Sequence, residues 1–343
     1  MKIPKRALSI VMSIAMLTVL FSGCAQPTNQ NGDGDPIDDT PLVAGETYSI
    51  GIIQYAEHPA LDAACEGFYD GLAAAGYISG ANVNYDFQNA QGDPNNLMTI
   101  GQRFVAAKTD MILAIATPAA QAIAGQTADI PIVVTAVTDL VSAKLVDSNE
   151  HPGGNVTGTN DMNPIDAQID LMLKLAPNVK TIGILYTSNE DNSILQAAIA
   201  REHCDTLGIA VIEGTVTSSN DVQQVAQSMA GKIDGLYVPT DNIIASAMPI
   251  VAEVMNSAKI PIICGESNMV ANGGLATIGI NYYNLGFQTG EMAAKILNGE
   301  VTAAELPVES QKKFDYAING DTAEAIGITI HDEFTEFVIY PDK

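Results

Sequence analysis

The chain writes one pattern twice. Ile50-Gly51-Ile52-Ile53 returns as Ile182-Gly183-Ile184-Leu185, and Gly76, which closes the run LAAAGY, returns as Gly208 in CDTLGI. Gly51 and Gly183 stand 132 residues apart, as do Gly76 and Gly208. Ile130-Pro131-Ile132 returns as Ile260-Pro261-Ile262 at an offset of 130. Any one echo is weak, because β-α units look alike. Three in the same order at nearly one offset require two similar lobes.

Between the echoes, short apolar runs alternate with helical stretches. Strands are expected over Ser49–Ile53, Val83–Phe87, Met111–Ile115 and Ile130–Val134. Helices are expected over Pro59–Ala75, Asn95–Ala107 and from Pro118. Strands alternating with helices imply parallel sheets covered on both faces. The fold class is therefore α/β, with two doubly wound parallel-sheet lobes facing each other across a cleft. In open α/β sheets ligands bind outside the carboxyl ends of the strands, so the loops just after the strands carry the functional information.

The N-terminal segment does not belong to that repeat. Lys2, Lys5 and Arg6 precede an apolar run from Ala7 to Leu20, followed by the small residues Ser22 and Gly23 and then Cys24. The run is shorter than the ~20 residues of a membrane-spanning helix, and its order is that of a secretory signal. Phe21-Ser22-Gly23-Cys24 resembles the lipobox of bacterial lipoproteins, with Phe21 where Leu is usual. That resemblance implies a signal peptide over 1–23 and lipidation of Cys24. Residues 24–46 read as the lipidated Cys followed by a flexible linker, since QPTNQNGDGDPIDDTP is nearly devoid of apolar residues. Asn31, Asp33, Asp35 and Asp38 imitate a calcium loop, but Pro36 replaces its glycine and no closing glutamate follows. Cys65, Cys204 and Cys264 form no CxxC and read as buried thiols. The four histidines are dispersed, so neither a metal nor another cofactor is expected. A net charge of −25 over 343 residues argues against nucleic acid or anionic lipid as partners.

Six strand-end loops follow from this reading. Gln54–His58, Ala116–Pro118 and Ala136–Asp139 belong to the first lobe. Tyr186–Ser193, Pro239–Asn242 and Gly265–Ser267 belong to the second. They hold Glu57, Asp139, Glu190, Asp191, Asp241 and Glu266, and no Lys or Arg. A phosphate site would call for basic residues or a P-loop, and GxxxxGK[ST] is absent. A ligand with a cationic amine fits better. It can still carry a carboxylate, because free N–H groups at helix N-termini follow these strands, with Thr117 well placed. The competing reading makes the same acids helix caps and solvated loop residues. Tyr55, Tyr186, Tyr237, Tyr282 and Tyr283 accompany the loops as ring-stacking candidates or as strand-end core. His58 lacks a companion nucleophile motif, so it reads as a capping residue or ligand contact and the chain as no enzyme.

HPALD (58–62), EGFYDGLAAAGY (66–77), ATPAAQA (116–122), TAVTD (135–139), PGGNVTGTND (152–161), GILYTSNEDNS (183–193) and YVPTDN (237–242) span most of the chain after the linker. Together with the lipobox they resemble ABC-transporter substrate-binding lipoproteins of the tryptophan/tyrosine type. The resemblance implies a periplasmic-binding-protein-like fold of type I with a hinge of three crossovers. These would lie near Thr159-Asn160, near Gly279–Asn281 and between Pro307 and Phe314. Lobe 1 would comprise 47–160 plus 281–310, and lobe 2 would comprise 161–280 plus 311–343. It also implies a monomeric, extracytoplasmic, lipid-anchored receptor that closes on an aromatic amino acid and delivers it to a permease with a cytoplasmic ATPase. Gln54, His58, Ala116, Thr117, Thr138 and Asp139 would bind from one lobe, and Tyr186, Asn189, Glu190, Ser193, Asp241 and Glu266 from the other. Gly279-Ile280-Asn281-Tyr282 departs from a glycine, any residue, Asp-Tyr pattern and so lacks one acid near the cleft. A sugar or nucleoside ligand, and a sensory receptor that passes occupancy to a membrane partner, are the alternatives.

Overall fold

In the computed structural model, which describes residues 47–341, the two copies of the pattern are two sheets of the same winding. The expected signal peptide, the lipidated Cys24 and the linker lie outside the described residues. The first sheet holds β1 (Tyr48–Gln54), β2 (Val83–Asn89), β3 (Met111–Ile115), β4 (Ile132–Val137), β5 (Val156–Asn160) and β11 (Glu309–Ser310), in the order β2-β1-β3-β4-β5-β11. The second holds β6 (Thr181–Thr187), β7 (Ala210–Val216), β8 (Gly235–Val238), β9 (Ile262–Cys264), β10 (Ala276–Gly279), β12 (Asp315–Asn319) and β13 (Val338–Ile339), in the order β7-β6-β8-β9-β10-β12-β13. The first five strands of each sheet are parallel and arranged identically; β12 pairs antiparallel with β10, and β13 runs parallel to β12. The fourth strand starts two residues later than its apolar run suggested, because Ile130 and Pro131 serve as the turn into it.

The repeated glycines have a common physical cause. A Cβ on Gly51 would meet the ring of Phe104, which α2 (Pro94–Ala107) lays across β1. A Cβ on Gly183 would meet Ile233 and Met229, the latter from α6 (Val222–Ala230), at 2.7–2.8 Å. Gly76 ends α1 (Pro59–Ala74) with φ +93° and Gly208 ends α5 (Asp191–Leu207) with φ +70°, backbone that glycine adopts without a Cβ penalty. Cys65, Cys204 and Cys264 are buried and unpaired.

The chain passes between the sheets three times: after β5, after β10, and between β11 and β12. After the first passage α4 (Ile165–Leu175) packs on β9 and β10. After the second, α10 (Tyr282–Leu297) packs on β4, on β5 and, most extensively, on α1. The α1–α10 crossing is backbone on backbone. Side chains on Gly67 and Gly71 would run into the carbonyls of Tyr283 and Phe287. Side chains on Gly286 and Gly290 would run into those of Ala64 and Phe68. Adding a methyl here has no soft neighbour to push aside. Gly71→Ala and Gly286→Ala should therefore each destabilise the protein by about 1–3 kcal/mol or more. Gly154→Ala, with nothing within 4 Å of its Cβ, should stay within about 0.5 kcal/mol of the parent. Urea denaturation followed by circular dichroism checks both.

Candidate functional site

The loops at the carboxyl ends of β1, β4, β6, β8 and β9 meet across the cleft and close on a small, nearly filled cavity of about 10 Å³. That is room for about one water molecule. From the first lobe come His58, which begins α1, with Ala60 and Leu61 behind it, and Ala136 and Thr138 at the end of β4. From the second come Asn192 on α5, Thr240 and Asp241 after β8, and Asn242 and Ala245 on α7 (Asn242–Ser246). Glu266 before α9 (Ser267–Ala271) and Met269 complete that side. Asp161 and Tyr282 stand at the first and second passages between lobes. No Lys or Arg lines the cavity.

Two helix starts explain two of the acids. Asp241 caps α7, its Oδ1 accepting from Ile244 N at 2.8 Å, and its Oδ2 takes Thr187 N at 2.6 Å. Glu266 caps α9, accepting from Asn268 N at 2.6 Å and Met269 N at 2.8 Å. Capping accounts for these side chains, as the competing sequence reading had it, and it also fixes them at the cavity wall. Burial nonetheless pushes Glu266 up to about 7 and raises Asp241. Glu190, behind the wall, is pushed up to about 8 by burial and then by the charge of Asp241. Asp241 has four hydrogen-bond donors around it and keeps the charge; Glu190 holds the proton.

Asp161 is different. It is buried at the start of the first passage, and Tyr282 OH donates to its Oδ2 at 2.5 Å. Burial raises its carboxyl while Tyr282 and Thr138 hold it down. Its Oδ1 faces the cavity wall without a partner. His58 is driven down to about 4 by burial and is therefore a neutral imidazole; its Nε2 lies 3.4 Å from Asn242 Oδ1.

Of the twelve residues expected to bind, His58, Thr138, Asp241 and Glu266 line the cavity. Glu190 and Ser193 form its buried backing, Glu190 through Asn192 and Asn242. Thr117 and Ala116 are buried at the start of α3 (Thr117–Ala124) and do not reach the wall. Ala116 has φ +82° and ψ 151°, a backbone state nearly confined to glycine. The remaining four are corrections. Gln54 turns away to Asp62 Oδ1 at 2.8 Å and Ala56 O at 2.8 Å. Asp139 caps the turn at Ser142 N, 2.6 Å away. Tyr186, half-buried near the end of β6, donates its OH to Glu213 Oε2 at 2.7 Å and does not line the cavity. Asn189 is exposed. The cavity residues missed were Asp161, Asn192 and Asn242, while Tyr282, expected as a ring or core residue, instead bonds Asp161. The first lies in the quoted PGGNVTGTND, and Asn242 lies in YVPTDN, so the motifs were in view while the cavity-facing members were not.

The lobes are in contact. Gln121 Nε2 on α3 donates to Asp191 Oδ2 at 2.8 Å, Ser246 Oγ to Glu57 O at 3.1 Å, and Gln196 Nε2 to Thr138 Oγ1 at 3.3 Å. Residues 49–338 match the family model described as ABC transporter substrate binding protein. The chain belongs to this family. It is 41% identical over 322 residues, 94% of this chain and 92% of the other, to the tyrosine-binding protein of Clostridioides difficile (strain R20291). Among solved structures, an ABC domain from Streptococcus pneumonia in complex with L-Trp superimposes with TM-score 0.83 at 39% identity, over 86% of this chain and 100% of that one. A ligand-free, open substrate-binding protein with adhesive properties from Clostridium difficile gives TM-score 0.66 at 45% identity, over 86% and 99%. In this chain the lobes are shut on each other through the three hydrogen bonds above. Binding proteins of this family hold solutes rather than transform them and work outside the cytoplasm. No described helix is long and apolar enough to cross a membrane.

The buried carboxyls have a consequence for ligand-free protein. An acid raised on folding binds more protons in the folded than in the unfolded state between its two pKa values, so stability falls as pH rises through that interval. For Glu190 and Glu266 the interval runs from 4.5 to about 8 and about 7. His58, lowered from 6.5 to about 4, acts oppositely, but only below 6.5. The melting midpoint of the ligand-free protein should therefore fall between pH 6.5 and 8, and Glu190→Gln should flatten that fall in differential scanning calorimetry.

Proposed function

We propose that this binding protein captures an aromatic amino acid in the closed cleft for import through an ABC permease and its cytoplasmic ATPase. The observation that carries the reading is the unpartnered, buried Oδ1 of Asp161 in a cavity without any Lys or Arg. A desolvated carboxylate oxygen with no donor is costly, and an α-ammonium supplies both charge and hydrogen bond. Tyr282 orients Asp161, and Glu266 adds negative potential from the facing lobe. Leu61, Met269, Ala136 and Ala245 offer apolar surface to a ring. The 41% identical tyrosine-binding relative and the L-Trp complex support an aromatic side chain.

Isothermal titration calorimetry tests this. L-Trp or L-Tyr should give a saturable heat, and the same molecule without its ammonium, such as 3-(4-hydroxyphenyl)propionate, should give none. Asp161→Asn should weaken binding by roughly 10–100-fold, the worth of a charge-assisted hydrogen bond. No heat with Trp, Tyr or Phe sinks the assignment.

The place of work follows from the N-terminal segment. Cys24, after Ser22-Gly23, would carry the lipid, with residues 24–46 tethering the lobes to the membrane. Labelled palmitate should enter the parent protein in its native host and be lost in Cys24→Ala; label retained by the variant defeats the anchor.

A further inference from the structure

We propose that the pocket between α1 and the edge strand β2, on the outer side of lobe 1, is a second binding site, separate from the cleft, that takes a small organic ammonium ion. It goes beyond the aromatic amino-acid reading and does not rest on it.

The pocket holds about 370 Å³ and opens to solvent, a volume within the range of small-molecule sites. Asp62, Cys65, Glu66 and Tyr69 come from α1, Gln54 from the end of β1 and Phe87 from β2. The four α1 residues recur at three- and four-residue spacing and so share one face of the helix. A different face carries Gly67 and Gly71 against α10, and none of the six lines the cleft cavity. β2 ends its sheet, so no further strand lies beyond Phe87, which stays 43% exposed.

Gln54 supplies the observation that points to an occupant. Its Nε2 donates to Ala56 O and to Asp62 Oδ1, each at 2.8 Å. Both partners are acceptors, so the amide cannot be flipped and Oε1 is the end left over. That oxygen is buried without a partner, and Gln54 belongs to the pocket's lining. A buried acceptor without a donor is costly, and a ligand N–H removes the cost. The surroundings select the charge of that donor. Asp62 and Glu66 stand at the pocket four residues apart on α1, a spacing at which like charges repel. Asp70 extends the row, and no Lys or Arg lies on α1 or lines the pocket. Arg103 is taken by Asp86, the residue before Phe87 and therefore on the opposite face of β2. Tyr69 and Phe87 add aromatic rings, which attract an ammonium further. Tyr85 meets the Tyr69 ring edge-on, with centroids 4.6 Å apart, and steadies it. Burial pushes the Cys65 thiol up to about 11, so it is a neutral, apolar contact and not a third anion.

The chain contains no Trp, so Phe87→Trp puts a lone fluorophore at the pocket and keeps an aromatic ring there. Its emission should change saturably with n-butylammonium chloride. n-Butanol has a donor without the charge, and tetramethylammonium has the charge without a donor. Each should bind at least about tenfold more weakly, the worth of one charge-assisted hydrogen bond. Calorimetry of the unsubstituted protein should give the same order. Glu66→Gln, at an exposed position, should weaken n-butylammonium severalfold, as should added salt. Asp161→Asn, which alters the cleft, should leave its affinity unchanged. No saturable change with n-butylammonium, or equal binding of either analogue, overturns the site. A response lost in Asp161→Asn but kept in Glu66→Gln puts the ammonium in the cleft and overturns it as well. Titration with L-Trp or L-Tyr succeeds or fails independently of these outcomes, so the two readings fall separately.

Discussion

The contact on which the cleft depends is the crossing of α1 and α10, where four glycines remove every side chain between two helix backbones. One helix follows the first strand; the other arrives from the opposite lobe by the second passage. Each begins at the cavity: His58 precedes the first residue of α1, and Tyr282 is the first residue of α10. With no side chain to rearrange between them, the two helix starts keep one distance whatever the lobes do. Tyr282 in turn holds Asp161 at the first passage, and Asn163 Oδ1 accepts from Ile280 N at 3.0 Å, joining the first two passages side by side. At the third, Gln311 receives Asn281 N at 3.3 Å and donates to Asn281 O at 3.2 Å. The hinge is thus tied to the first lobe by packing and across itself by hydrogen bonds.

Burying acids without cations is unfavourable, and this fold tolerates it by two means. Asp241 and Glu266 are satisfied by helix N-terminal N–H groups, where the helix dipole also favours negative charge. Glu190 holds a proton. Asp161 has neither device for its second oxygen, which is why its incompleteness points to a ligand and theirs does not. The cost of desolvating that oxygen is incurred when the lobes shut, so closure and ammonium binding are coupled by the same atom.

The architecture was legible because its cause is local. The echoes at Gly51/Gly183 and Gly76/Gly208 mark strand glycines under a crossing helix and left-handed helix ends, and both follow from short-range packing. The site was legible only in part. Loops were identified from strand ends, but a loop residue can face the cavity, the solvent or its own backbone. Acidic character alone did not distinguish Asp241 at the wall from Asp139 capping Ser142. Tyr186 turns to Glu213 of the neighbouring strand β7 rather than to the cavity, because side chains alternate along a strand. Asn192 and Asn242 carry no charge, and charge was the signal being read. Asp161 directly follows β5, a strand not among those expected, so its loop was not among the six that were read.

Shut lobes need not wait on ligand contacts alone. Gln121–Asp191, Ser246–Glu57 and Gln196–Thr138 join the lobes through residues of this chain only. Each is partly exposed or modest in strength, worth roughly 0.5–1.5 kcal/mol against water, so together they offset only part of the cost of burying unpartnered oxygens and a ring nitrogen. Closure without ligand then carries a penalty located at unpartnered buried atoms, Asp161 Oδ1 among them, and on the proposed reading a ligand ammonium removes the part that falls on Asp161. The latch supplies geometry, the open acceptors supply the requirement for ligand, and affinity for the correct solute is the difference between them.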